Sequence, residues 1–162
     1  MRNKKYFLRI LGLLAIFGFA GFVYAQSDGG TFTLTDIPSE YNGMYAFFSA
    51  DYIYPEISPG VGGGRANLWG CQSLSIVETK FAAILNGRVS MPLWLYDTHG
   101  PAIARYFGND TISAVKVYIF DSETFPDGYY ESAIAEIEFR AVSFSNGGAT
   151  LSFLNNAGFR RR

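Results

Sequence analysis

One cysteine and one histidine stand among 162 residues, and that scarcity closes off most site chemistry at the outset. Cys71 has no second cysteine to pair with, so no intramolecular disulfide can form. Set between Leu68-Trp69-Gly70 and Leu74, it reads as a small buried hydrophobe. One histidine and one cysteine also cannot supply the closed nitrogen and sulfur set that zinc requires, and no metal or other cofactor is expected. For acyl transfer the only available base is His99, in the loop Asp97-Thr98-His99-Gly100-Pro101, and no serine sits in a Gly-x-Ser-x-Gly elbow. The chain is therefore read as a non-enzymatic protein.

Long apolar runs are equally scarce. The one present, ILGLLAIFGFAGFVYA, follows a start that carries Arg2, Lys4, Lys5 and Arg9 and no acid. A basic start, an apolar stretch and the small or compact ending Val23-Tyr24-Ala25 make the layout of a secretory signal, with cleavage expected after Ala25. A spanning helix wants about 20 apolar residues, whereas this run is shorter and interrupted by Gly12, Gly18 and Gly21. The expected organisation is a signal peptide over 1–25, a single β-domain over 26–154 and a basic C-terminal tail over 155–162. The protein is expected to be exported (periplasmic, cell-surface or secreted), without membrane insertion after cleavage. Removing four of the 13 basic residues leaves nine against 14 acids, a formal charge of −5. Such a balance repels phosphate backbones and argues against nucleic acid as a partner.

What is plentiful is aromatic: 15 Phe and 11 Tyr, among Thr, Ser, Val and Gly, with no sustained spacing of three and four residues. That composition predicts strands and turns rather than helices. TFTLT, Thr31 to Thr35, alternates as a half-buried strand, and MYAFFSAD, Met44 to Asp51, is apolar on both faces like a central strand covered on both sides. A Pro- and Gly-rich loop, YIYPEISPGVGGGR, follows, and then a strand is expected through SLSIV and TKFAAIL. Asn86-Gly87 predicts a type I′ hairpin into a strand with Val89, Met91, Leu93 and Leu95 inward; Pro92 suggests that this strand lies at a sheet edge. ISAVKVYIF, Ile112 to Phe120, is a second central strand, and IAEIEFRAVSF changes phase near Arg140 to Val142, as a β-bulge would make it do. Asn146-Gly147 then repeats the earlier turn, which suggests a weak duplication of the two halves. Seven or eight strands with short turns predict an all-β, antiparallel two-sheet sandwich, with a closed eight-stranded barrel as the alternative.

The stretches GTFTLTDIPSEYNGMYAFF, GCQSL, NGRVSMPLW, RYFGNDT and VSFSNGGAT together resemble a family of short exported domains of spirochaetes that has no assigned activity. The resemblance runs from Gly30 to Phe153 and rests on turn and core residues. It implies export and a single β-domain, and offers no catalytic residues to carry over.

The candidate site residues are consequently binding residues. Asp121, Glu123 and Asp127 gather in the loop after the second central strand, beside Tyr129 and Tyr130, and Tyr52 and Tyr54 lie between Asp51 and Glu56 in the loop after the first. If the halves repeat, both loops emerge at one end and form one surface of tyrosines and carboxylates, suited to a protein or a glycan. The spacing of these acids fits no calcium-loop consensus. Trp94 and Tyr96, on the non-core side of their strand, make an alternative binding face. A carrier of a small apolar ligand, held in a barrel cavity lined by Phe47, Phe81 and Tyr118, is the competing function.

Overall fold

The computed structural model describes residues 30–54, 63–97, 100–103, 111–145 and 148–162. The signal-peptide segment, Glu56, His99 and the Asn146-Gly147 pair lie outside these residues, as do the side chains of Tyr54 and Asp97. The chain is all-β. Apolar alternation lays down β1 (Thr31–Thr35), β2 (Tyr45–Tyr54) and β3 (Gly64–Gly70), followed by the short pieces β4 (Ser73–Leu74), β5 (Thr79–Lys80) and β6 (Ala82–Ala83). Long strands resume with β7 (Val89–Asp97), then β8 (Gly100–Ile103), β9 (Thr111–Phe120), β10 (Ala135–Ser143), β11 (Gly148–Ser152) and β12 (Gly158–Arg161).

Ten of these strands join one mixed sheet in the order β11-β1-β7-β3-β2-β9-β10-β12, with β6 added to β2 and β8 to β7. β4 and β5 form a separate small hairpin. The sheet curls into a half-barrel, so the expected pair of distinct sheets is replaced by one continuous ladder folded over itself. It is not a closed barrel either, because no described ladder joins β11 to β12 at the two ends. Every pairing within it is antiparallel except β1 with β11, which runs parallel from Thr31↔Gly148 to Thr35↔Ser152.

The curl brings β1 and the end of β10 across from β2. Phe32 stacks on Phe48 with ring centroids 4.3 Å apart, and Phe144 approaches Phe48 at 6.5 Å. Around them Leu34, Leu68, Met91, Leu93, Val117 and Ile137 fill the concave side. As expected of a central strand, β2 is buried on both faces: Ala46, Phe48 and Ala50 point into the concave core and Phe47 into a second cluster on the convex side.

Several expectations are corrected. The Asn86-Gly87 turn forms with both φ angles positive, 52° and 70°, and Leu85 and Arg88 exchange two backbone hydrogen bonds across it. Yet its arms part at once, β6 to β2 and β7 to β1 and β3. Ser145 and Gly148 exchange the same two bonds beside the second Asn-Gly pair, and there too the arms part, β10 to β9 and β11 to β1. These turns are corners that pass the chain between regions of the sheet, not hairpins. Because β7 pairs with both β1 and β3 while β11 reaches only β1, the two halves do not build the same unit.

β7 is central rather than an edge. Pro92 is accommodated because the strand changes partner there: Val89 to Pro92 face β1 and Leu93 to Tyr96 face β3, whose last residue, Gly70, pairs with Leu93. The phase change of β10 is present, with Phe139 and Val142 both buried, but it is not an added residue. Pairing continues in register from Arg140↔Ala114 to Val142↔Ile112, and Ser113 and Ala114 of β9 are exposed opposite exposed Arg140 and Ala141. The burial phase shifts on both strands at the same place, where Ala141 takes φ 51°. GRANLWG, expected to be partly loop, is β3, and the run expected as a basic tail contributes β12, paired with β10 from Ala135↔Arg161 to Glu138↔Gly158.

Candidate functional site

Alternate residues of β2, β3, β7 and β9 face the convex side, and on these strands they are largely aromatic. Register sets Phe47 opposite Tyr118, Trp69 opposite Trp94, and Ser49 opposite Trp69. Trp69 lies offset-stacked on Tyr96, its diagonal neighbour, with centroids 5.0 Å apart and planes within 4°. Phe47 meets Trp69 edge-on at 5.3 Å. Such offset and edge-on arrangements suit the charge distribution of the rings.

Two segments cover this face. The β4–β5 hairpin brings Leu74 and, just before it, Cys71 onto the rings. The segment after β9 is tied down where Phe81 N donates to Glu123 O at 2.7 Å, and it drops Phe125 onto Phe47 at 4.9 Å and Phe81 at 4.8 Å. Tyr130 lies against Tyr118 at 4.5 Å. Burial pushes the Tyr118 and Tyr130 phenols above their ordinary range, with a hydrogen bond to Ser49 partly opposing this for Tyr130. Phe47, Phe81 and Tyr118, the residues expected around a ligand cavity, are buried together in this packed cluster.

One flank of the cluster is ionic. Lys116 Nζ donates to Glu136 Oε1 at 2.7 Å, and Arg162 Nη2 donates to Glu136 Oε2 at 3.1 Å. The Lys116 hydrogen bond is the main reason the Glu136 carboxyl is held below its ordinary value, and the same bond raises Lys116. Arg162 also donates to the Tyr130 carbonyl at 3.1 Å, so the end of the chain fastens the covering loop. Cys71 is buried in the packing: burial pushes its thiol up to about 12, and the Trp94 indole N–H donates to the Cys71 carbonyl at 3.2 Å.

Between the hairpin tip and the covering loop an open groove of about 500 Å³ remains. Trp69 and Tyr96 line it from the sheet side, Ile76 and Val77 from the hairpin, and Phe125 and Tyr129 from the loop. The indole N–H of Trp69 is buried and meets no acceptor among the described residues. Tyr129 holds φ 51° directly after Gly128 at φ 91°, and the residue is 68% exposed. A bulky residue in the left-handed region is an outlier that the surrounding structure must hold in place. Among the described residues the groove's charged lining is Glu78 and Asp127, both acidic.

The structure divides the expected site residues. Tyr96, Asp127 and Tyr129 meet in the groove. Tyr130 and Trp94 are half-buried beneath it as packing, and Asp121 and Glu123 are exposed on the loop without lining it. Tyr52 is only 7% exposed and faces the concave core. The ends of β2 and β9 do not meet, because the two strands run antiparallel with Tyr45 opposite Phe120. The loop after Phe120 leaves beside the start of β2, so Tyr54 lies about 30 Å of strand away. Among the described residues no three carboxylate, imidazole or thiol groups converge on one point. Trp69, Ile76, Val77 and Phe125 were absent from the sequence-based candidates. The available signal was the β-branched apolar pair in SLSIVETK, which reads as strand but forms a tip. No family model, curated protein or solved structure matches the chain.

Proposed function

We propose that this protein is an exported, non-enzymatic binding domain that recognises protein or glycan, and that the convex groove is its recognition surface. The observation that carries this reading is the groove itself: exposed Ile76, Val77 and Tyr129 stand around the Trp69–Tyr96 ring pair on a face whose other rings are packed away. Exposed aromatic and aliphatic side chains held by a rigid scaffold are a common basis of recognition. The two covered faces of the curled sheet play the part expected of a sandwich, giving the groove a stiff support. Export rests on the basic start and apolar run of the sequence, and agrees with the resemblance to exported spirochaete domains.

The test is a binding screen of the purified protein against glycan and extracellular-protein arrays, repeated with Tyr129→Ala and with Asp51→Ala at the distant end of β2. Binding lost in the first and retained in the second supports the groove. Binding lost only in the second places recognition elsewhere. N-terminal sequencing of the exported protein should begin at Gln26, and a sequence beginning at Met1 would refute cleavage.

A further inference from the structure

We infer that the groove takes an extended peptide segment in which a large apolar side chain is flanked by lysine or arginine. This rests on the reading of the groove as a recognition surface and narrows it to one class of partner. The hairpin tip is the first reason. Ser75 N donates to Glu78 O at 3.0 Å, and Ser75 Oγ both donates to that carbonyl and accepts from Glu78 N. The residues this turn presents, Ile76 and Val77, are 81% and 95% exposed. Turns ordinarily place Gly, Asn, Asp, Pro or Ser at such positions, because these residues tolerate both the backbone and the water. Two β-branched apolar residues there add little to the core and line the groove instead.

That wall decides between partners. A glycan seated in the groove would turn hydroxyls toward Ile76 and Val77, where they would lose water and gain no partner. The nearby Ser75 hydroxyl is already engaged with the turn's own backbone. An apolar peptide side chain suffers no such loss, and it meets Ile76 and Val77 on one side and Phe125 and Tyr129 on the other. Charge supplies the flanking preference. Glu78 and Asp127 both border the groove, and among the described residues no lysine or arginine lines it, so a cation beside the apolar anchor is favoured and an acid is disfavoured.

The experiment pans the immobilised full protein against a random twelve-residue peptide library on phage, with a glycan array in parallel. Enriched clones are expected to share a large apolar residue next to Lys or Arg. A synthetic peptide of that consensus should bind about tenfold or more weakly to Val77→Asp and to Asp127→Lys, and equally well to the remote control Arg88→Ala. The double variant Glu78→Lys/Asp127→Lys should instead enrich acidic clones, a gain that misfolding cannot produce, with circular dichroism confirming that each variant is folded. Clones without basic residues, or a preference that the double variant leaves unchanged, would overturn the inference. Glycan binding abolished by Val77→Asp, with no peptide consensus, overturns it while leaving the groove as the recognition surface. If no probe depends on Val77 or Asp127, both readings fall.

Discussion

The concave and convex faces of the sheet are both apolar, yet they are completed differently. On the concave side the sheet supplies most of its own cover: curvature carries Phe32 and Phe144 onto Phe48, with Ile37, Tyr41 and Ile84 added from the connecting segments. On the convex side the cover comes from a short hairpin and one loop, and they do not span the aromatic surface beneath them. A face closed by its own curvature has no room for a partner, whereas a face closed by appended segments keeps a seam. The groove is that seam.

The largest effect should separate the two faces directly. Phe48→Ala removes a fully buried ring at the centre of the concave core and should cost about 3–5 kcal/mol in urea unfolding. The same change at Phe125, half-buried under the convex cover, should cost less than half as much. Equal losses would show that the convex cluster is as much a folding core as the concave one.

A second comparison adds a methyl group instead of removing a ring. A Cβ on Gly70 would lie 2.9 Å from Met91 Sδ and 3.0 Å from Phe48 Cβ, contacts too short to keep without movement. Gly70→Ala should therefore destabilise by about 1–3 kcal/mol, the usual range for overpacking. Unchanged stability would mean that Met91 shifts freely and that the concave side is looser than described.

The ionic flank of the convex face should respond to pH. Glu136 is held below the ordinary glutamate value, so its stabilisation is fully present above about pH 4.3 and is lost as pH falls through the lowered folded value. Glu136→Gln should cost about 1 kcal/mol at neutral pH. The gap between variant and wild type should close in acid, as read from urea melts at pH 7 and at pH 3. A constant gap would assign the effect to shape rather than to charge.

The smallest stability effect is expected at the groove rim. Tyr129 keeps an exposed ring in a left-handed conformation that asparagine tolerates better, so Tyr129→Asn should leave stability within about 0.5 kcal/mol of wild type or raise it slightly. Under the proposed function the same change abolishes binding. A clear loss of stability would return Tyr129 to the folding core and erase the distinction between the faces at this position.

The sequence by itself determined what is local. Alternation located β1 and β7, because a side chain's face is set by its own strand's period of two, and runs apolar on both faces located the two central strands. The Asn86-Gly87 turn was readable for the same reason, since positive φ at two successive positions is a property of those residues alone. Tyr96, Asp127 and Tyr129 were readable as candidates from their chemistry. Tertiary structure decided everything that depends on partners. β3 was obscured by its glycines and asparagine, and the terminal arginines became β12 only through the exposed edge of β10. The arms of the Asn-Gly turns parted because better partners lay elsewhere in the sheet. The antiparallel register of β2 and β9 separated the far end of β2, with Tyr52 and Tyr54, from the loop after Phe120, which composition alone had brought together. The groove arises only when the hairpin carrying Ile76 and Val77 and the loop carrying Phe125 fold over Trp69, a meeting of segments far apart in the chain. No local pattern encodes that meeting, because the free energy that selects it comes from burying the shared convex face.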